Sequence, residues 1–175
     1  MRQMYEIAHD LTSNFPSGVS NQLKACGIAG IYLEDLRESL RGILKHRWGP
    51  LNSNGKHMYI ISLNMNDTIS DWAHTVGHEL CHTFQEDYAF SDELLSSFCH
   101  KYGIVVETRA RLRDYINGDG GCTKESFHFY FDTRIKADEV FCEIFSSIWL
   151  ARPGVRSELE EILHALSGEN SIIAL

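Results

Sequence analysis

The feature that most constrains this chain is the segment His78-Glu79-Leu80-Cys81-His82, which carries two histidines four positions apart. On a helix, residues four apart lie one above the other, so both imidazoles would project from one face and bind one cation. A glutamate directly after the first histidine would lie beside that cation and accept a proton from a water molecule. The segment therefore predicts a helix on which His78 and His82 are metal ligands and Glu79 is a general base.

The residues around this segment predict the same helix. Residues suited to cap a helix N-terminus precede it, namely Thr68, Ser70 and Asp71. Apolar side chains then recur at intervals of four positions, at Trp72, Val76, Leu80 and Phe84. We therefore expect an amphipathic helix over about residues 70–86, half buried under a sheet.

A zinc site needs at least one further protein ligand, because two histidines leave its coordination shell too open. The stronger candidate is Glu139, which is followed one turn later by Glu143 in the apolar, helix-patterned segment 136–151. Two carboxylates on such a helix are costly to bury unless a cation neutralises them. We predict that Glu139 binds the metal, while Glu143 accepts the outward ring N–H of His78 or His82.

His100 is the alternative third ligand, and it would complete a three-histidine site. It lacks the neighbouring glycine that would help a loop histidine to approach a metal. His74, one turn before His78, is a candidate rim residue or substrate contact. The candidate donors to a reaction oxyanion are Tyr102, His128 and Tyr130.

The pairing of His-Glu-Leu-Cys-His with a later Glu-x-x-x-Glu resembles the gluzincins. The order of elements resembles the ImmA/IrrE family of small cytosolic metallopeptidases, on the segments 58–64, 72–82 and 139–150. The resemblance implies a minimal zincin-like fold and a Zn²⁺ ion held by His78, His82 and Glu139. It also implies site-specific cleavage of a protein such as a repressor.

The chain departs from that family's pattern at several positions. Cys81 stands where the family usually has glycine, Glu143 where it has asparagine, and Ala151-Arg152-Pro153 where it has Met-Pro. SprT-like zincins share the His-Glu-x-Cys-His form and are a competing resemblance, which would favour a third histidine ligand. The departures leave the class of enzyme intact and leave its substrate open.

Composition predicts one folded cytoplasmic domain over residues 1–175. The chain is 43% hydrophobic, which suffices for one core, and it has neither an apolar signal region nor a membrane-spanning stretch. Its five cysteines are scattered without a C-x-x-C pair, which indicates reduced thiols. A net charge of −8 weighs against nucleic acid as a partner and leaves a protein or peptide substrate.

The remaining pattern predicts an α+β fold, mostly helical, with a small sheet flanking the metal-binding helix. We expect further helices over residues 5–11, 33–48, 92–102, 105–115 and 156–166, and a strand or an aromatic cleft wall over 126–132. We expect the strand over 57–63 to lie at the sheet edge, where an extended substrate could add as another strand.

These expectations combine into a zinc-dependent endopeptidase that acts on an intracellular protein or peptide. The alternative is a binding or regulatory module that keeps the fold without catalysis.

Overall fold

A computed structural model of the chain describes residues 2–37, 40–47, 58–84, 137–167 and 171–175. Within these ranges the protein is α+β, with five α-helices and one four-stranded mixed sheet. The helices are α1 (Arg2–Ser13), α2 (Val19–Ala25), α3 (Ile69–His82), α4 (Ala137–Leu150) and α5 (Val155–His164), with a 3₁₀ turn at Ala165–Ser167. The strands are β1 (Ile28–Glu34), β2 (Gly42–Arg47), β3 (Met58–Asn64) and β4 (Ile172–Ala174).

The sheet has the strand order β2-β3-β1-β4. Strand β3 is parallel to β1 and antiparallel to β2, while β4 is antiparallel to β1. The prediction that strand 57–63 forms the edge is therefore wrong, because β3 has a partner on each side. Its residues Ile61 and Leu63 are fully buried, as two-sided pairing and a helix packed on the sheet require.

The predicted helix over 33–48 is also wrong, because residues 42–47 form strand β2. The apolar residues at helical spacing that suggested it include Ile43 and Leu44. These two residues instead pair with β3, in the register Ile43↔Ser62 and Leu44↔Ile61. Hydrogen bonding to a neighbouring strand overrides the local periodicity here, since β structure depends on tertiary partners more than helices do.

Helix α3 lies at the centre of the described part of the chain. It packs on β2 and β3 of the sheet, against α4 on another side, and it also contacts α5. Every residue from Trp72 to Cys81 is buried, so α3 is enclosed on nearly all sides rather than half buried as predicted. Polar side chains on such a helix must find partners inside the protein.

The start of α3 is fixed by specific polar contacts. Thr68 is the N-cap, and its hydroxyl oxygen accepts a hydrogen bond from the backbone N–H of Asp71, which confirms one of the three predicted caps. The indole N–H of Trp72 donates to the backbone carbonyl of Asn64, at the end of β3, over 2.8 Å. The end of the strand and the first turn of the helix are therefore held together.

Helix α4 confirms the prediction for residues 136–151, and α1 and α5 confirm those for 5–11 and 156–166, with shifted ends. Strand β4 was not predicted from the sequence. The predicted elements over 92–102, 105–115 and 126–132 lie outside the described residues. Within the part of the chain that the structure describes, no helix combines the length and apolar character needed to cross a membrane.

Candidate metal centre

The close approach of α3 to α4 brings the candidate ligands together. A Cβ on Gly77 would overlap the Ser146 hydroxyl and would lie 3.0 Å from its Cβ and 3.1 Å from its Cα. The Ser146 hydroxyl donates a hydrogen bond to the backbone carbonyl of His74 over 2.8 Å. Only a residue without a side chain at position 77 allows this contact, which lies directly before the first histidine of the motif.

Helix α3 carries the two motif histidines on one face, as predicted. The imidazole rings of His78 and His82 have centroids 5.0 Å apart and planes at 74° to each other. His78 is buried, whereas the His82 side chain keeps 15% of its surface exposed. The pair therefore spans the boundary between the core and the surface.

Glu139 of α4 contacts both of these histidines. Its Oε2 lies 3.1 Å from Nε2 of His78, and its Oε1 lies 3.7 Å from Nε2 of His82. The two nitrogens and the carboxylate thus face a common point from two helices that are far apart in sequence. The predicted ligands His78, His82 and Glu139 are brought together by the fold.

Glu143, one turn after Glu139, contacts His74 and His78. Its Oε2 lies 2.6 Å from Nε2 of His74, and its Oε1 lies 2.8 Å from Nδ1 of His78. The second contact is close enough for an ion pair, but its angle falls short of a hydrogen bond. Glu143 therefore lies beside His78 as predicted, but as an ion-pair partner rather than as the predicted hydrogen-bond acceptor, and its contact with His74 was not predicted.

Burial and charge act in opposite directions on this cluster. Burial lowers the pKa of His78, but the contacts with Glu139 and Glu143 outweigh it and raise the pKa to about 10. Burial raises the pKa of Glu143, but the contacts with His74 and His78 outweigh it and hold the pKa well below its usual range. The carboxylates therefore make the interior favourable for a cation.

His74 is buried with 4% of its surface exposed, so it is not a rim residue. Its Nε2 faces Glu143 and its backbone carbonyl accepts from Ser146. The sequence contained a signal for this position, because a histidine one turn before His78 lies on the same helix face. His74 therefore contacts the Glu143 carboxylate, which also contacts Nδ1 of His78.

Cys142 brings a sulfur atom to the opposite edge of the His82 ring. Its Sγ lies 3.5 Å from Nδ1 of His82, and its thiol also interacts with that of Cys81. Ligand atoms of His78, His82 and Cys142 all lie within 4.8 Å of one another, which is compact enough to hold a metal ion. Burial raises the pKa of the Cys142 thiol well above its usual value, so it is protonated at neutral pH.

Two donor sets therefore overlap in this cluster. Both contain His78 and His82, and they differ in the third member, which is the Glu139 carboxylate or the Cys142 thiol. The carboxylate contacts the Nε2 atoms of both rings, whereas the sulfur contacts Nδ1 of His82. The set that contains the Glu139 carboxylate is the one predicted from the sequence, whereas the sulfur donor was not predicted.

Glu79 lies on α3 beside strand β2. It is buried, and a Cβ on Gly42 would lie 3.5 Å from its Cγ and would overlap the Thr75 side chain. The absence of a side chain at position 42 allows β2 to pass directly over Thr75 and Glu79. Gly42 marks the place where β2 meets the motif helix, a signal that the sequence contained but that could not be interpreted without knowledge of the strand.

The alternative ligand His100 and the candidate oxyanion donors Tyr102, His128 and Tyr130 lie outside the described residues. Comparison of the chain with protein-family models, with curated proteins and with solved structures found no match. The resemblance to gluzincins therefore depends on the motif residues and their positions.

Proposed function

We propose that this protein is a zinc-dependent endopeptidase. The observation that carries the proposal is the position of the Glu139 carboxylate, which contacts Nε2 of His78 and Nε2 of His82 while Glu79 lies on the same helix as both. Two imidazoles and one carboxylate are the protein ligands of a group of zinc hydrolases, in which the fourth position is open to water or substrate. Such an open position is what a hydrolase needs.

The donor set suits a dication. Burial lowers the pKa of His78, but the carboxylates of Glu139 and Glu143 raise it to about 10. The cluster therefore stabilises a positive charge at His78 even when that charge is only a proton. Zn²⁺ in place of that proton would supply Lewis acidity, which lowers the pKa of water to about 7 and polarises a carbonyl group. His78, His82 and Glu139 would hold the ion, and Glu143 would orient His78 through its Nδ1.

Glu79 is the proposed general base. It follows His78 directly, and its buried carboxylate would accept a proton from the attacking water and deliver it to the leaving amine. A base of this kind accounts for roughly 10²–10⁴-fold of the rate. Substitution by glutamine would remove the proton acceptor and keep the shape of the side chain.

Strand β2 replaces β3 as the proposed docking edge for a substrate peptide. Among the described strands, β2 pairs only with β3, and Gly42 at its start approaches Glu79. An extended peptide that added to the outer edge of β2 would run past the motif helix. A protein or peptide substrate fits this edge better than nucleic acid does, given the net charge of −8.

The cellular location that we propose is the cytoplasm. The described cysteines Cys26, Cys81 and Cys142 are all buried, and none of them forms a disulfide bond. Free thiols of this kind are typical of a reducing compartment.

A second candidate function is a non-catalytic binding or regulatory module. His78 already pairs with two carboxylates, and such a buried ion-pair cluster can stabilise a fold with a proton in place of a metal. In that case the motif would be structural, and removal of the charge on Glu79 would leave the function unchanged.

The test is zinc analysis of the purified chain together with turnover of a fluorogenic peptide library, with and without chelator. The proposal predicts one equivalent of zinc, chelator-sensitive cleavage, and a loss of roughly 10²–10⁴-fold in rate for Glu79→Gln with zinc retained. The matched control is Glu161→Gln, an exposed glutamate on α5, which keeps full activity. Full activity of Glu79→Gln, or a protein without zinc and without cleavage, would favour the second candidate.

A further inference from the structure

Cys142 gives the metal centre a donor that a zinc peptidase site of two histidines and one glutamate does not need. Its thiol is fully buried on α4, one turn from Glu139 and on the same side of the helix. Its Sγ lies 3.5 Å from Nδ1 of His82, and it belongs to a group of three ligand atoms within 4.8 Å of one another. A thiol in this position is close enough to both histidines to share a cation with them.

Sulfur and oxygen donors select different cations. Thiolates favour soft, polarisable ions such as Cu⁺ and Cd²⁺, whereas carboxylates favour harder ions. In this cluster the two kinds of donor stand on the same helix, at Glu139 and Cys142, and face the same two histidines. The third ligand therefore depends on the cation.

We propose that the centre also binds thiophilic cations, with Cys142 as the third ligand in place of Glu139, and that such binding excludes zinc. Exclusion follows because both donor sets need His82, and a neutral imidazole that binds one cation through Nδ1 keeps its proton on Nε2 and cannot bind a second cation there. When the cation binds, the Cys142 thiol and the imidazolium of His78 each release one proton to solvent, and one sulfur–metal bond and one nitrogen–metal bond form in their place. The part of the inference that concerns peptidase inhibition rests on the proposed function, whereas the binding itself does not.

Cadmium titration of the metal-free full-length chain tests this inference, with the ultraviolet sulfur-to-metal charge-transfer band as the readout. We expect one equivalent of Cd²⁺ to produce the band, and Cys142→Ser to abolish it and weaken binding at least about tenfold. Glu139→Gln keeps the band, and so does the matched control Cys26→Ser, which changes another buried cysteine that forms no disulfide bond. One equivalent of zinc competes with Cd²⁺ for the protein.

Three results would overturn the inference. They are a band that persists in Cys142→Ser, a band that disappears in Glu139→Gln, and simultaneous binding of zinc and cadmium to the same molecule. Circular dichroism of each variant shows whether it is folded. If Cys142→Ser does not fold, His82→Gln is tested in its place, and we expect this variant to lose the band as well. A cadmium band of this kind in a protein without peptidase activity would support the inference and contradict the proposed function.

Discussion

Gly77 of α3 lies against Ser146 of α4 so closely that a Cβ on the glycine would be 3.1 Å from the Cα of the serine. The pairs His78–Glu143, His78–Glu139 and His82–Glu139 follow along the same interface. The spacing between these two helices therefore determines whether the imidazoles and the carboxylates can share one cation.

Gly77→Ala is expected to destabilise the protein. In an open helix this change would stabilise by up to about 1 kcal/mol through helix propensity, but here the new methyl group meets Ser146. Overpacking of this kind costs about 1–3 kcal/mol, and separation of the helices would also weaken zinc binding. Chemical denaturation and a zinc titration measure the two effects.

The double variant Gly77→Ala/Ser146→Gly is the control for that change. Removal of the serine side chain takes away the two atoms nearest to the new methyl group. The double variant should therefore be more stable, and bind zinc more tightly, than the sum of the two single changes predicts. Strict additivity of the two changes would show that the contact does not limit the helix spacing.

Gly42→Ala is expected to affect the other side of α3. The added methyl group would overlap the Thr75 side chain and lie 3.2 Å from the Ser62 carbonyl oxygen, so β2 must move away from the helix. We expect a loss of about 1–3 kcal/mol in stability and reduced peptidase turnover. In the double variant Gly42→Ala/Thr75→Ser the overlapping methyl group is absent, so much of the lost stability should return, as measured by denaturation of the single and double variants.

If the double variant is no more stable than Gly42→Ala, the position of β2 does not depend on this contact.

Glu143→Gln is expected to weaken zinc binding without abolishing it. The glutamine keeps the size of the side chain but removes the charge that faces Nδ1 of His78 and Nε2 of His74. Loss of such an outer partner costs about 10–100-fold in metal affinity, whereas Glu139→Gln removes a ligand and should cost more. Competition with a chromophoric chelator measures both affinities. Equal zinc affinity for Glu143→Gln and the unmodified protein would contradict the role given to Glu143.

The metal-free protein is expected to lose stability at alkaline pH. Burial lowers the pKa of His78, but Glu139 and Glu143 raise it to about 10, above the value of 6.5 that it has when unfolded. The raised pKa contributes stability that is fully present below pH 6.5 and is lost as the pH rises towards about 10. The free energy of unfolding should therefore fall across this window, and more steeply than in His78→Gln.

Zinc reverses the sign of this dependence, because the ion must replace the proton on His78. Zinc affinity should rise over the same pH window. A flat profile for the metal-free protein, or a profile identical to that of His78→Gln, would contradict the coupling between His78 and the carboxylates.

The sequence was sufficient to predict α3 and α4, the two helices that carry the residues of the candidate metal centre. In α3 and α4 the apolar residues have helical spacing, and the polar residues that interrupt them are the ones that approach one another. The contact of Glu139 with His78 and His82 was predictable because a carboxylate on a largely buried helix needs a cationic partner.

The sheet was less predictable because its pairing depends on residues far apart in sequence. Strand β2 contains Ile43 and Leu44, which together with Leu36 and Leu40 have the spacing of a helix, and β4 is only three residues long. The contact between Cys142 and His82 likewise follows from the way in which α3 packs against α4. None of these relationships has a local signal.

The most direct test of the central claim is zinc-edge X-ray absorption spectroscopy of the zinc-loaded, full-length protein. We predict one zinc per chain, with a first shell of nitrogen and oxygen at about 2.0–2.2 Å and an imidazole signal that corresponds to two histidines. Glu139→Gln should lose most of its zinc. A shell that contains sulfur at about 2.3 Å, or zinc binding that is unchanged in Glu139→Gln, would contradict the assignment of His78, His82 and Glu139 as the zinc ligands.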